Sequence, residues 1–430
     1  MAVGTDIMTH SDVILRPDPS RTVIRPFELR DPDGFDDRPE SRPERIAARV
    51  MGLDEDRLRT ELARVMGHLR SRHRNADETV LRRWQEVKEA AGCAGVDHDR
   101  QLLIGAYFSE EYAFESAALF NPSIVLDDTR TDVPNGGVAF FLSLRGIGEG
   151  HLSSVTFRRG QWDKVNGFSV SPASQIAVTP HIDRDDDDSD GTVRVHCDID
   201  DDISEAILFP VTDSQARGIE DLRLCRFVED DGSIRHYGTY TAFSGSAARS
   251  ELLDADNFRS MTLRTMTGSA AASKGMALFP RRIGGRYAML TRQDSENLRL
   301  AYSDTLTHWD EGPVILGPEY FWEFVQIGNC GSPIEIDEGW LVLTHGVGSV
   351  RNYCIGAALL DKDDPSHVIG RMTLPLVHPS PKERDGYVPN VVYSCGGMVH
   401  DRTLLLPYGV ADNFATFAHV ALDDLLSTLE

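Results

Sequence analysis

The sequence predicts an all-β fold, a five-bladed β-propeller over residues 111–430, preceded by an N-terminal arm and an α-helical extension over residues 1–110. After about Ala118, short runs of Val, Ile, Leu, Phe and Tyr alternate with turns rich in Gly, Asn and Asp, which is the pattern of many short strands. A unit of turn, glycine, aromatic residue and apolar strand recurs at the spacing of a four-stranded blade. At about 60 residues per blade, five such units account for the region after the extension.

The β region contains apolar runs bounded by turn residues. Examples are Val138–Leu142, Tyr287–Leu290, Trp340–Thr344 and Thr403–Tyr408. Gly284 and Gly285 separate two strand-like runs and predict a hairpin, because glycine accepts the positive φ angles of tight turns. We therefore expect antiparallel sheets built from successive hairpins.

The extension shows helical periodicity between about Asp54 and Ala91. The apolar positions that predict helices are Leu58, Leu62, Val65 and Leu69, then Val80, Leu81, Trp84 and Val87, with Asn75 or Asp77 as the second N-cap, and finally Leu102–Phe108. The arm before about Pro43 is rich in Asp, Arg and Pro and is expected to lie extended on the main domain. We interpret the helices as a cap packed on that domain. The alternatives are a contact that forms a homo-oligomer, or a wall of the active site.

The charge of the chain limits the classes of partner. The formal net charge is −24 at pH 7, which argues against nonspecific nucleic-acid binding and against docking on an anionic membrane. No segment approaches the length of an apolar membrane span, and the residues from Met1 to His10 have no signal-peptide core. We therefore expect a cytoplasmic protein that binds neither nucleic acid nor membrane.

Metal and disulfide chemistry find no support in the sequence. The six cysteines are scattered without a CxxC pair, which predicts neither a zinc site nor a disulfide framework. The acidic run Asp183–Asp190 lacks the spacing of an EF-hand loop, so it predicts a solvated loop rather than a calcium site. We expect no metal in this protein.

The stretch Gly218-Ile219-Glu220-Asp221-Leu222-Arg223 is the first candidate for catalysis. Neighbouring side chains of a strand point to opposite faces, so Glu220 and Asp221 are expected to face different sides. One of the two carboxylates would then be a catalytic acid, and the other would be a structural partner of another residue, for example of Arg223. The alternative is a surface turn with an exposed ion pair, which would contribute little.

Further polar residues stand at strand ends or in glycine-rich loops, where the loops of a propeller converge on one central pocket. They include Arg145, Glu149, His151, Asp221, Lys274, Arg292, Asp294, Glu323, His345, Asn390 and Asp412, with the aromatic residues Trp322, Tyr353, Tyr387 and Tyr408. Carboxylates, amides and guanidinium groups bind sugar hydroxyls, and aromatic rings stack on the C–H face of a sugar. Dinucleotide, Walker, nucleophile-elbow and HExxH motifs are all missing from the sequence. The set therefore predicts a sugar site.

A colinear series of motifs runs through the β region. It comprises Phe120-Asn121-Pro122-Ser123, the stretch 218–223, Thr239–Phe243, Lys274–Pro280, Gly331–Ile334, Gly339–Val347, Gly356–Asp361, Asp364-Pro365, Val368–Arg371 and Tyr387–Val392. In this order the motifs closely resemble glycoside hydrolase family 130, the β-mannoside phosphorylases and β-mannosidases. The resemblance covers about Phe120 to the C-terminus. It implies a five-bladed propeller that cleaves terminal β-mannosidic bonds of manno-oligosaccharides with inversion, β-1,2 linkages being favoured.

The resemblance also implies roles for particular residues. Asp221 corresponds to the acid of the family's Glu-Asp-Pro-Arg motif, whose Pro is Leu222 here, and this acid is thought to act through a mannose hydroxyl. Substrate binding is assigned to Asn121, Arg145, Arg223, Asp294, Asn390 and Asp412, and phosphate binding to Lys274, Arg292 and His345. No cofactor is expected, and inorganic phosphate is the expected co-substrate.

Two departures from the phosphorylase pattern keep hydrolysis open. Where the phosphorylases tend to carry another Arg, this chain has Ser244-Gly245-Ser246, with Arg249 as the nearest substitute, and the family's Pro-rich loop is Cys330-Gly331-Ser332-Pro333. A hydrolase needs a carboxylate base that faces water, and Glu323 or Glu149 are the candidates, Glu323 being assigned as catalytic. The matches at the phosphate positions favour phosphorolysis. A propeller that binds sugar without turnover is the remaining alternative.

Overall fold

A computed structural model describes residues 7–34, 39–183, 191–255, 258–380 and 386–430. The acidic run after Asp183 therefore lies outside the described residues. The chain divides into two compact units. The β unit contains Glu115–Ala173, Pro180–Glu430 and the N-terminal strand before Asp18, and the helical unit contains Pro19–Phe114 and Ser174–Thr179.

The helical unit packs four helices beside a two-stranded hairpin. The elements are β2 (Val23–Pro26), α1 (Arg42–Met51), α2 (Glu55–Arg72), α3 (Ala76–Val87), α4 (His98–Tyr107) and β3 (Ser109–Tyr112). Ser41 and Glu44 form a capping box at α1, and Asn75 is the N-cap residue of α3. Leu58, Trp84 and Leu103 bring the apolar faces of three helices into one core.

The β unit begins with a strand that the sequence does not reveal, because the sequence predicts only an extended arm there. This strand, β1 (Thr9–Leu15), pairs antiparallel with the last strand of the chain. The sheet has the order β1-β27-β26-β24, with β25 pairing β26. The remaining bounds are β24 (Val392–Tyr393), β25 (Met398–His400), β26 (Thr403–Val410) and β27 (Phe414–Ala421), and a short helix follows, α5 (Leu422–Leu426).

An eleven-stranded sheet contains two hairpin series joined by a single parallel pair, Gly218 with Ser153. The first series comprises β4 (Ala118–Leu126), β5 (Val138–Ile147), β6 (Ser153–Asp163) and β7 (Gly167–Val170). The second comprises β11 (Gly218–Val228), β12 (Ile234–Phe243), β13 (Ala248–Ala255) and β14 (Ser260–Thr265). Three short strands extend the sheet, β8 (His181–Asp183), β9 (Val193–His196) and β10 (Ile207–Leu208).

Two further sheets complete the unit. The first is β15 (Ala277–Leu278), β16 (Tyr287–Thr291), β17 (Leu298–Ser303) and β18 (Val314–Leu316). The second is β19 (Gln326–Asn329), β20 (Ile334–Ile336), β21 (Gly339–Val347), β22 (Tyr353–Leu360) and β23 (Val368–Arg371). Apart from the one parallel pair, the named strands of the described residues pair antiparallel, as successive hairpins do.

The apolar cores lie between neighbouring sheets. Phe140 of β5 packs with Phe417 of β27, and Leu404 of β26 shares a cluster with Leu341 of β21. Trp340 of β21 packs with Leu290 of β16, and Met289 of β16 shares a cluster with Phe227 of β11. These contacts confirm the mostly β character that the sequence predicts, and each of the six cysteines is a buried free thiol. No helix among the described residues is long and apolar enough to cross a membrane.

Candidate active site

A cavity of about 280 Å³ opens among the strand ends of the β unit. All four large sheets contribute side chains to it, so residues that are far apart in sequence meet there. The lining residues are Asn121, Arg145, Asp221, Ser273, Lys274, Arg292, Ser295, Gln326, Arg351, Tyr353, Val391, Tyr393 and Asp412. Six of the eleven residues assigned from sequence to catalysis or binding lie in this cavity.

Asp221 sits on a β-bulge of strand β11. The register of β11 against β12 shifts between Glu220 and Arg223, and Asp221 has a left-handed φ of 53°. The bulge interrupts the alternation of side chains, since an extra residue turns the next side chain toward the same side. Arg145 therefore contacts both carboxylates: Nη2 donates to Glu220 Oε1 at 2.7 Å and Nη1 to Asp221 Oδ1 at 3.2 Å. The strict alternation of a strand is therefore broken here, although of these two carboxylates only Asp221 lines the cavity, which agrees with the prediction that both do not face it.

The carboxylate of Asp221 is held by a dense set of donors. Asn121 Nδ2 donates to Asp221 Oδ1 at 2.7 Å, and Asn121 itself lies at a register shift of β4 with a φ of 46°. Burial acts to raise the pKa of Asp221. The charges of Arg145 and Arg223 and the hydrogen bond from Asn121 outweigh burial, so the pKa lies well below the usual range of Asp. Asp221 is therefore an anion in the unliganded chain.

Asp412 is the second carboxylate of the cavity, and its environment shifts its pKa in the direction opposite to that of Asp221. It lies in the turn between β26 and β27, with a φ of 49°. Burial raises its pKa to about 6, and the negative charge of Asp221 adds to this effect. The charges of Arg145 and Arg351 act in the opposite direction but are outweighed. Two carboxyl groups whose environments separate their pKa values in one cavity are typical of sites in which they have different acid and base roles. We refer to Asn121, Arg145, Glu220, Asp221 and Asp412 as the carboxylate cluster.

Two cations line the same cavity. Lys274 precedes β15, and within the described part of the chain its ammonium group makes no ion pair. Arg292 follows β16, and its side chain is 8% exposed. A Cβ atom on Gly275 would lie 2.1 Å from Arg292 Nε, so a glycine at this position lets the backbone pass against the guanidinium group. We refer to Lys274, Arg292, Gln326 and His345 as the cation cluster.

His345 lies behind Arg292 and does not line the cavity. His345 Nδ1 lies 3.2 Å from the carbonyl oxygen of Asn329, and Nε2 lies 3.2 Å from Arg292 Nη1. Only a neutral ring with its proton on Nδ1 satisfies both, because Nδ1 then donates to the carbonyl and Nε2 accepts from Arg292. Burial, together with the charges of Arg292 and Arg223, lowers the pKa of His345 well below its usual range. The ring thus orients Arg292 without neutralising its charge.

A match to a family model decides the family. A family model described as β-1,4-mannooligosaccharide phosphorylase, that of glycoside hydrolase family 130, matches residues 187–430. The match covers more than half of the chain. The chain belongs to glycoside hydrolase family 130.

Relatives within glycoside hydrolase family 130 align with about half of the chain. It is 32% identical over 234 residues to the 1,2-β-oligomannan phosphorylase of Thermoanaerobacter sp. strain X514, a match that covers 52% of this chain and 75% of that protein. It is 30% identical over 232 residues to the β-1,2-mannobiose phosphorylase of Listeria innocua, which covers 52% of this chain and 63% of that protein. The chain therefore spans less than two thirds of the second relative.

A solved structure of a family 130 member shares the fold. It is the β-1,2-mannobiose phosphorylase from Listeria innocua in complex with β-1,2-mannobiose, with a TM-score of 0.51 and 21% identity. The match covers 73% of this chain and 92% of that chain. At this identity the likeness establishes a common fold and nothing further.

Besides His345, four residues assigned to the site from sequence lie outside the cavity. Arg223 lies under the carboxylate cluster, where it donates to the backbone oxygen of Asp221 at 2.9 Å and to Tyr393 Oη at 2.8 Å. Asp294 closes a turn by accepting from the backbone N–H groups of Glu296 and Asn297. Asn390 presents its backbone oxygen to the N–H of Tyr353 at 3.0 Å. The fourth is Glu323.

Glu323 is fully buried and paired, so the structure does not bring it to the cavity. Its Oε1 accepts from the backbone N–H groups of Glu319 and Tyr320 at 3.0 and 3.1 Å, and it forms an ion pair with Arg371. Burial raises its pKa, although the charge of Arg371 acts against this. Glu149, the other candidate base, does not line the cavity either. This geometry favours a structural role for Glu323.

Sequence reasoning missed Gln326 and Arg351 among the residues that line the cavity. Arg351 had a detectable signal, because Arg145-Gly-Ile-Gly and His345-Gly-Val-Gly are similar stretches, each of which leads into a hairpin. Gln326 had none, since a glutamine at the start of a short strand is unremarkable in sequence. Among the described residues, no group of His, Cys, Asp and Glu side chains is arranged to hold a metal ion.

Proposed function

We propose that this chain is a β-mannoside phosphorylase. It cleaves the terminal β-mannosidic bond of manno-oligosaccharides with inorganic phosphate and releases α-mannose 1-phosphate with inversion, and β-1,2-linked substrates are preferred. The observation that carries the proposal is one cavity that holds a buried carboxylate, Asp221, together with Lys274 and Arg292, two cations that form no salt bridge with a carboxylate of the described residues. No cofactor is required, since phosphate is the co-substrate.

The cation cluster supports phosphate as the nucleophile. A phosphate dianion needs several cationic donors, and guanidinium groups bind it through paired hydrogen bonds. Arg292 is held by a neutral ring rather than by a carboxylate, so its charge remains available. Lys274 supplies a second charge at the same cavity. Phosphate is already nucleophilic and needs no base, and this agrees with the placement of Glu323 and Glu149 away from the cavity.

The carboxylate cluster supports protonation of the leaving group. In the unliganded chain, the cations hold Asp221 in its ionised form, and the charge of Lys274 contributes to this. A phosphate dianion bound at Lys274 and Arg292 would offset the charge of Lys274 and add its own negative charge near Asp221, so the pKa of Asp221 would rise and the residue would take up a proton from solvent. That proton then passes to the glycosidic oxygen, through a mannose hydroxyl, as the bond from C1 to this oxygen breaks. The new bond from C1 to a phosphate oxygen forms on the opposite face of the sugar.

Binding of the terminal mannose is assigned to Asn121, Arg145 and Asp412. These three side chains converge on Asp221 and offer donors and acceptors to sugar hydroxyls. The preference for β-1,2 linkages is supported by the two relatives, which act on β-1,2-mannosides according to their names. The family model carries a β-1,4 description, so β-1,4 substrates belong in the test.

We also propose that the β unit is a five-bladed propeller with this cavity on its axis. The two hairpin series of the eleven-stranded sheet count as two blades, and the other three large sheets as three. The apolar clusters connect four pairs of neighbouring blades, and the pair of Gly218 with Ser153 connects the fifth. Five contacts between five blades form a cycle, as the architecture requires.

Hydrolysis is the second candidate. Arg249, the nearest substitute for the family's additional Arg, donates to Glu251 at 2.7 Å and to Thr265 Oγ1 at 3.2 Å, so it is engaged elsewhere. A hydrolase would use Asp412 as the base for water, since a pKa of about 6 suits a base at neutral pH.

The test is incubation with β-1,2- and β-1,4-mannobiose, with and without inorganic phosphate, followed by separation of mannose from mannose 1-phosphate. We expect mannose 1-phosphate only when phosphate is present, and faster turnover of the β-1,2 substrate. Nuclear magnetic resonance of the product should show the α anomer. Release of free mannose at the same rate without phosphate would overturn phosphorolysis in favour of hydrolysis.

A further inference from the structure

A second cavity, of about 470 Å³, adjoins the proposed catalytic cavity within the β unit. Arg351 and Tyr353 line the catalytic cavity, whereas Asn352 and Cys354 line the second one. Arg351 ends the turn Ser349–Arg351 and Asn352 follows it directly before β22, so the two cavities lie beside each other at this turn.

The second cavity is rich in aromatic side chains from one turn, Glu319–Val325, which we call the aromatic turn. Tyr320, Phe321, Trp322 and Phe324 all line the cavity. Phe321 is 84% exposed and Phe324 57% exposed, with their ring centroids 5.0 Å apart. Exposed large rings clustered at a concave surface are typical of ligand sites.

The aromatic turn is held rigidly by the buried carboxylate of Glu323. This carboxylate accepts from two backbone N–H groups of the turn and pairs with Arg371 of β23. The indole N–H of Trp322 donates to the backbone oxygen of Thr373 at 3.1 Å. The rings are therefore presented by a preorganised turn, which lowers the entropic cost of binding.

We propose that the aromatic turn and its cavity bind the mannose units that follow the scissile bond in oligosaccharides longer than a disaccharide. The terminal mannose occupies the catalytic cavity, so the rest of the chain extends from it toward the reducing end. The start of β22 directs those units onto Phe321 and Phe324. This inference rests on the proposed function and adds to it a site that selects for chain length.

The composition of the second cavity favours a sugar as its occupant. Glu319, Ser349 and Asn352 place a carboxylate, a hydroxyl and an amide among the rings. A pyranose offers the same alternation, because hydroxyls ring its edge and C–H groups cover its face. The cavity volume lies in the range of small-molecule sites.

The test compares β-1,2-mannobiose with β-1,2-mannotetraose in the presence of phosphate. For the wild-type chain we expect a higher kcat/KM on the tetrasaccharide. In the double variant Phe321→Ala, Phe324→Ala, the ratio of the two kcat/KM values should fall about tenfold, as expected for the loss of stacking on two rings. Phe27→Ala, which removes a 42% exposed ring from the helical unit, is the matched control and should keep the ratio.

Calorimetric titration with β-1,2-mannotetraose separates this proposal from the proposed function. If the wild-type chain binds the tetrasaccharide and the double variant binds it about tenfold more weakly, the site stands even if turnover is absent. Equal binding by both would overturn it, as would an unchanged ratio of kcat/KM. A change in the molecular mass in solution caused by the double variant would show that the rings cover a second copy of the chain, which also overturns the proposal.

Discussion

The hairpin of residues 145–152 and the hairpin of residues 345–352 have the same backbone and different chemistry. The first joins β5 to β6 and the second joins β21 to β22. Gly148 and Gly348 have φ and ψ of −113° and −161° and of −103° and −161°, and each donates its N–H to the residue four positions later. Gly150 and Val350 have φ of 67° and 58°. The pairing is also equivalent, with Arg145 opposite Val155 and His345 opposite Ile355.

The first position of each hairpin determines which charge its part of the cavity carries. Arg145 donates to Glu220 and Asp221 and thereby assembles the carboxylate cluster. His345 accepts from Arg292 and thereby fixes a cation that it does not neutralise. The residue at this backbone position therefore decides the charge beside it. Arg145 pairs with the carboxylate of Asp221, whereas His345 leaves the guanidinium group of Arg292 charged.

The seventh position differs as well. His151 stacks on Tyr387, with ring centroids 4.9 Å apart, whereas Arg351 lines the cavity and acts on Asp412. Both residues have a left-handed φ, 63° and 54°. The two hairpins therefore provide equivalent backbone positions, and the different side chains at those positions give each hairpin its own role in the site. The following predictions test this division between the two clusters.

The largest effect is expected from Asp221→Asn in the carboxylate cluster. Asparagine keeps the shape but cannot transfer the proton, so kcat/KM with β-1,2-mannobiose and phosphate should fall by about 10³–10⁴-fold. Calorimetric titration should show that phosphate still binds, because the cation cluster is intact. Activity within tenfold of the wild type would contradict the assignment of the acid.

Exchanges at the first hairpin position should separate the two clusters. His345→Phe keeps a ring but removes the acceptor for Arg292, so the KM for phosphate should rise about 10- to 100-fold, as for a lost hydrogen bond to a charged group. Arg145→Met should instead raise the KM for the mannoside by a similar factor. Initial rates with each substrate varied in turn provide both constants.

The division between the carboxylate cluster and the cation cluster is contradicted if His345→Phe and Arg145→Met both raise the KM for the same substrate. The division is also contradicted if His345→Phe lowers kcat and leaves both KM values unchanged. A ring whose role is to position Arg292 should affect the KM for phosphate. A partial recovery of phosphate KM in His345→Gln, whose amide oxygen accepts from Arg292, would support the positioning role.

Much of this site was accessible from sequence, because polar side chains at strand ends converge in a fold of hairpins. Arg145, Lys274, Arg292 and Asp412 were selected in this way and Asn121 through the family resemblance, and all five line one cavity. The features that escaped prediction depend on backbone conformation and on long-range packing.

The bulge at Asp221 is the clearest case. A strand pattern predicts alternation, and a single non-glycine residue with a positive φ leaves no trace in composition. The burial of Glu323 was equally hidden, since a turn sequence does not show that Arg371, 48 positions later, will cover its carboxylate. The bulge depends on local backbone conformation and the burial of Glu323 on long-range packing, and the sequence pattern shows neither.

Asp412 should add a pH dependence that is specific to the carboxylate cluster. Its folded-state pKa of about 6 lies above the value of about 4 expected for an unfolded chain. Its contribution to the free energy of unfolding is therefore present below about pH 4 and is lost as the pH rises through 6. Relative to the wild type, Asp412→Asn should gain about 1 kcal/mol between pH 5 and pH 8.

Urea unfolding at several pH values measures this difference, and the exposed Asp304→Asn is the control that should show none. A gain for Asp412→Asn that shrinks as the pH rises would have the wrong sign and would refute the raised pKa. A constant difference across the range would show that Asp412 does not titrate there.

The smallest effect concerns the backbone that the two hairpins share. Val350 adopts a φ of 58° where the first hairpin has Gly150, and a β-branched residue is strained in this region. Val350→Gly should therefore raise the free energy of unfolding by about 0.5–1 kcal/mol, while Gly150→Val should lower it by about the same amount or more. Urea unfolding of both variants provides the comparison. Val350 is 86% exposed, so lost packing does not obscure the result. If Val350→Gly destabilises the chain, the valine side chain contributes a contact that outweighs its strain, and the two hairpins are equivalent in shape but not in energy.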